Sequence, residues 1–111
     1  MNITSEAHLA ATVITITGEF MADDADRFQR DMREIGENFN SNIIIDCSEL
    51  GLIDSVGLES LLWLSDELSR NKYKLKFAAV NTTVQRVFEL TRLTRVFSTH
   101  ESVEEAARSF A

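Results

Sequence analysis

Asp54-Ser55-Val56-Gly57-Leu58 is the segment of this chain whose residue types and spacing point to chemistry. A serine placed where a helix begins presents its hydroxyl to unpaired backbone N–H groups and to the positive end of the helix dipole. That environment suits a phosphate group. Phosphorylation of Ser55 would add about two negative charges beside Asp54, and at a docking surface such charge repels acidic partner groups and must be desolvated. Binding would be switched while the fold stayed intact. The ordinary role of a serine in this place is an N-cap, worth about 1 kcal/mol, and Ser55 is expected to cap its helix. Gly57 needs a separate reason, because glycine in a first turn costs about 1 kcal/mol against alanine. Its bare backbone is expected to leave close access to the hydroxyl.

Other chemistries lack their parts. A hydrolytic triad needs a histidine base, and His8 and His100 sit in an opening hairpin and in the loop before the last helix, where they read as solvated loop residues. No G-x-S-x-G elbow is present. Gly51 and Gly57 are too far apart for a phosphate-cradling loop. Asp23, Asp24 and Asp26 match the dipole of a helix start and read as a solvated face, not a metal site. The single Cys47 excludes a disulfide framework and four-sulfur metal sites and favours a reducing compartment. The expectation is a binding protein without catalytic residues or cofactor.

The elements that hold this segment follow from periodicity. Residues Ala7 to Thr17 carry alternating β-branched side chains and read as a strand, paired with a shorter one around Asn2 to Glu6 and ended by a turn at Gly18-Glu19. Ala25, Phe28, Met32 and Ile35 then repeat at helical steps. Ile43-Ile44-Ile45 is apolar at successive positions, as in a strand covered on both faces. Ser48 to Ser55 reads as a connection, followed by a helix from Val56 to about Arg70 with Leu58, Leu61, Leu62 and Leu68 in one stripe. Val56 and Trp63 fall on the other side of that helix, as a partner-facing pair or as the edge of the core. Lys72 to Val80 reads as a strand, Asn81 as the cap of a third helix, Val96 to Ser98 as a last short strand, and Ser102 with Glu105 as the capping box of a closing helix.

Strands alternating with helices after an opening hairpin make this an α/β chain. The sheet is mixed and mostly parallel, of about four to five strands with about four helices and an antiparallel N-terminal edge. At 111 residues, with no proline, four scattered glycines and no repeat, residues 1–111 read as one domain. Its net charge of −7 opposes a nonspecific grip on nucleic acid or anionic lipid. The amino terminus has neither the basic head nor the apolar run of a signal peptide, and no window is long enough to span a bilayer, so direct membrane insertion is not expected and a cytoplasmic location is.

The stretch IIIDCSELGLIDSVGLESLLWL, followed by KLKFAAVNTTVQRVFELTRLTRVF, resembles the STAS domains of bacterial anti-sigma factor antagonists. The order of elements, Gly18-Glu19 before the first helix and the closing helix from Val103 to Phe110 extend the resemblance over nearly the whole chain. It implies a cytoplasmic partner switch. The unmodified antagonist binds an anti-sigma factor that is also a serine kinase, the kinase phosphorylates it with ATP held by the kinase itself, and a serine phosphatase resets it. Ser55 matches the phosphorylated serine, Asp54 the preceding acid and Gly57 the glycine of the first turn. The implied partner-binding surface comprises Asp54, Val56, Gly57, Leu58 and Glu59, with Met21, Asp23 and Trp63. This chain departs from the family pattern at Met21, where an acid is common, and at Val56, where a small hydroxylated residue is common; both bear on partner identity. The same resemblance admits a non-enzymatic regulatory subunit docked on the ATPase of a lipid-transport ABC system.

Overall fold

The computed structural model describes residues 1–8, 11–35 and 39–110. Leu9 and Ala10, within the first long strand expected from the sequence, lie outside them. The elements in chain order are β1 (Asn2–His8), β2 (Ala11–Phe20), a 3-10 turn (Ala22–Asp24), α1 (Ala25–Ile35), β3 (Ile43–Asp46), β4 (Leu50–Ile53), α2 (Ser55–Arg70), β5 (Leu75–Ala78), α3 (Thr82–Leu90), a second 3-10 turn (Leu93–Arg95), β6 (Ser98–His100) and α4 (Val103–Arg108).

The six strands form a mixed sheet in the order β1-β2-β3-β5-β6, with β4 paired to the far end of β2. Among the described residues only β1 and β2 run antiparallel. Alternation along each strand divides the apolar side chains between two faces. Ile14, Ile16, Ile43, Ile45, Leu75 and Phe77 turn to one side, where α1, α2 and α3 cover them with Phe28, Met32, Leu61, Leu64, Leu68, Val84 and Phe88. Val13, Ile44 and Ala78 turn to the other side, where α4 covers them through Ala106 and Ala107. The triple isoleucine run is therefore apolar throughout because β3 is central and covered on both faces.

Five details differ from the sequence expectation. The last strand, expected at Val96 to Ser98, is Ser98–His100, because Val96 closes the second 3-10 turn onto the Leu93 carbonyl. Gly18-Glu19 is not a turn: β2 continues to Phe20, and Gly18 takes φ +98° at an irregularity where two β4 residues, Gly51 and Leu52, meet a single step of β2. The expected connection from Ser48 to Ser55 contains a full strand, β4, whose pairing with β2 extends the sheet beyond β3. Leu64 rather than Leu62 completes the buried stripe of α2, since Leu62 is only half-buried. Neither histidine is a solvated loop residue. His100 ends β6, with its Nε2 2.8 Å from the Ser98 hydroxyl, and the Nδ1 of half-buried His8 is sealed from solvent with no hydrogen-bond partner among the described residues.

Candidate functional site at the start of the second helix

Ser55 is the first residue of α2, and its neighbour Asp54 is the cap. Asp54 is still extended, at φ −99° and ψ −177°, because its N–H continues the β2–β4 pairing by donating to the Phe20 carbonyl at 3.2 Å. Its own carbonyl already accepts the first helical bond, from Leu58 N–H at 3.0 Å. A residue that is half strand and half helix occupies the N-cap, so the expectation that Ser55 caps the helix is corrected by one position.

The Asp54 carboxylate uses both oxygens. Oδ1 accepts from Gly57 N–H at 2.8 Å, and Oδ2 accepts from Ala22 N–H at 2.8 Å, 32 residues away in the chain. The second bond ties the turn between β2 and α1 to the start of α2. Within that turn Met21 N–H donates to Asp24 Oδ2 at 3.0 Å. The fold thus brings Met21, Asp23 and Asp24 to the end of the molecule where Ser55 stands. Asp23 and Ser55 are exposed, whereas Met21 and Asp54 are half-buried. The cap is supplied by Asp54; Ser55 is exposed at the positive end of a 16-residue helix, and among the described residues its hydroxyl has no hydrogen-bond partner.

Gly57 is buried, which corrects the expectation that it opens access to the hydroxyl. A Cβ built there would stand 2.6 Å from the Phe20 carbonyl oxygen and 2.7 Å from Ile53 Cγ1. Glycine is needed because the first turn of α2 lies directly on the ends of β2 and β4. Leu58 is likewise buried, in the main core, so neither it nor Gly57 is presented to a partner. Glu59 is exposed and Val56 half-buried.

Trp63 lies about 12 Å further along α2 than Ser55, from the rise per residue of an α-helix. Its ring meets Phe39 edge-on, with centroids 5.7 Å apart, and the Arg33 guanidinium of α1 sits 5.2 Å from its centroid. Packed against the main core in this way, Trp63 is an edge-of-core residue held between helices. One residue of this end escaped the sequence analysis. Leu52 of β4 is 37% exposed beside Glu19, its partner in β2. The apolar run Leu50-Gly51-Leu52-Ile53 was the available signal for a strand there.

Cys47 at the end of β3 is fully buried, and its thiol points to the Ile45 carbonyl at 3.7 Å. Burial, with a smaller contribution from the charge of Asp46, pushes the thiol pKa up to about 12, so it is a core side chain and not a nucleophile.

Comparison with known proteins bears on the family and the fold. The family model described as "STAS domain" matches residues 2–106. A putative anti-sigma factor antagonist from Thermotoga maritima superposes with a TM-score of 0.88 at 19% identity, over 96% of this chain and 92% of that one. The Bacillus cell fate determinant SpoIIAA in its phosphorylated form gives a TM-score of 0.73 at 20% identity, over 99% of this chain and 100% of that one. A sulfate transporter family protein from Wolinella succinogenes gives 0.74 at 14% identity, over 87% and 81% of the two chains. At these identities the likeness is one of fold.

Proposed function

The chain belongs to the STAS domain family, and from that premise we propose that it acts as an anti-sigma factor antagonist switched by phosphorylation of Ser55. Unmodified, it binds an anti-sigma serine kinase through the surface formed by Ser55, Glu59, Val56 and the Met21–Asp24 turn. Phosphorylated, it releases that kinase, and a serine phosphatase restores it. It carries out no reaction itself and works in the cytoplasm.

The observation that carries this reading is the division of labour between Asp54 and Ser55. Asp54 holds the helix and the neighbouring turn, leaving Ser55 exposed with a hydroxyl that has no hydrogen-bond partner among the described residues. A phosphate on Ser55 meets the unpaired N–H groups and dipole of the first turn, so the fold tolerates it. The same phosphate adds to an end of the molecule that already carries Asp54, Asp23 and Asp24, and a partner that accommodated those acids must then accommodate two further charges. That is the physical basis of release.

The test is incubation with ATP and the anti-sigma kinases of the source organism, followed by mass measurement. One added phosphate is expected, absent in Ser55→Ala, together with loss of kinase binding. No phosphate under any kinase, with an ABC-type ATPase recovered as the stable partner, would replace this reading by the regulatory-subunit one.

A further inference from the structure

One segment of the chain has the reverse electrostatic character. Residues 70–100 hold seven of the eleven basic side chains and one of the eighteen acids, Glu89, so this segment carries +6 in a chain of −7. Its exposed part is compact. On α3, Arg86 and Leu90 lie four residues apart and so share one face. Arg92 then turns the chain at φ 63°, and Val96 N–H closes the 3-10 turn onto the Leu93 carbonyl at 2.9 Å. Leu90 is 75% exposed and Val96 56%, the two most exposed large apolar side chains described. Arg86, Arg92 and Arg95 are exposed on the same stretch of chain, with Glu89 the one acid among them, and among the described residues none of the three has an ion-pair partner.

A groove of about 340 Å³ shares Val96 with this surface and is lined also by Ser98, Tyr73, Lys74, Ser65 and Ser69. Tyr73 and Lys74 precede β5, whereas Ser55 follows β4, so in this parallel part of the sheet the two surfaces stand at opposite strand ends.

We propose that the surface formed by α3, the Leu93–Arg95 turn and the Lys74–Val96 groove is a second docking site, and that its occupant is an acidic segment of a partner protein carrying a large apolar side chain. Charge complementarity commits it to an acidic partner, because three unpaired guanidiniums and Lys74 form a positive field on a negatively charged molecule. Leu90 and Val96 require an apolar group in that partner, since charge alone leaves them in water. Occupation of this site does not depend on Ser55, so the chain is able to hold one partner while exchanging another.

The experiment is a titration of the isotopically labelled full chain with a capped peptide of Glu and Leu in helical repeat, followed by amide chemical shifts, with the same peptide bearing Lys for Glu as control. Shifts confined to Leu90, Arg92, Arg95, Val96 and Lys74 are expected. Affinity should weaken about tenfold between low and physiological salt, and about tenfold or more in the double variant R92E and R95E. Ser55→Asp should bind as the parent does, which separates this site from the proposed switch. Both arginines are exposed, so the double variant should fold; shifts retained at Leu90 in a folded double variant would overturn the proposal. So would shifts gathered around Ser55, binding to anionic phosphatidylglycerol vesicles in place of the peptide, or salt-sensitive self-association abolished by the same substitutions.

Discussion

Replacing Gly57 by alanine sets helix propensity against packing, and the structure decides the sign. In an exposed helix the change stabilises by about 1 kcal/mol, because alanine loses less backbone freedom on folding. Here the added Cβ stands 2.6 Å from the Phe20 carbonyl oxygen, 2.7 Å from Ile53 Cγ1 and 3.3 Å from Ile53 Cδ1. The isoleucine side chain can rotate. The carbonyl is backbone, and it is held by the hydrogen bond it accepts from Asp54 N–H. Relief therefore requires the first turn of α2 to lift from the strand ends, loosening the Asp54 bonds to Gly57 and Ala22 with it. Overpacking of this kind costs about 1 to 3 kcal/mol, which exceeds the propensity gain and leaves a net loss of about 1 kcal/mol. For a domain of this size that is a fall of roughly 4 °C in melting temperature. Urea denaturation and calorimetry measure it directly, with Gly51→Ala as the control. At Gly51 the new Cβ meets only Gly18 O at 3.8 Å, an ordinary contact, and stability should stay level or rise slightly. A Gly57→Ala variant as stable as the parent or more so would refute the packing account of this glycine.

Ser55→Asp should abolish kinase binding, measured by calorimetric titration, while the melting temperature stays within about 3 °C, because a first helical position accepts an acid. Asp54→Ala should cost about 1 to 2 kcal/mol in denaturant unfolding through loss of the cap, whereas Ser55→Ala should be nearly neutral. Asp54→Asn should fall between parent and alanine, since the amide has a single oxygen for the two N–H groups that Asp54 serves. Cys47 should resist a thiol-specific disulfide reagent in the native protein at mildly alkaline pH and react once in concentrated guanidinium. The folded thiol ionises near 12 against an ordinary value of 9.0. Its contribution is therefore present below pH 9 and lost between about pH 9 and 12, as the unfolded state alone gives up its proton; pH-dependent unfolding of Cys47→Ala against the parent checks this sign.

The order of strands and helices was legible because each element carries its own period. The isoleucines of β3, the Phe28 and Met32 face of α1 and the caps at Asn81 and Ser102 are local patterns, and the structure places them as read. β4 was missed because it is short, half-exposed and contains a glycine, so its strand character comes from pairing with β2 and not from its own alternation. The cap was misassigned for a related reason. Asp54 and Ser55 are equally good capping residues in isolation, and only the bond from Asp54 to the Phe20 carbonyl decides where the strand ends and the helix begins.

Residue type and local spacing by themselves determined that a serine hydroxyl would stand at a helix start, beside acids, in an α/β chain; the family came from resemblance. They left open which neighbour carries the structural duty, whether Gly57 and Trp63 face out or in, and how the charges divide between the two ends. Those answers depend on contacts between residues far apart in the chain, such as Ala22 with Asp54 and Arg33 with Trp63, and such contacts exist only once the helices have been laid on the sheet.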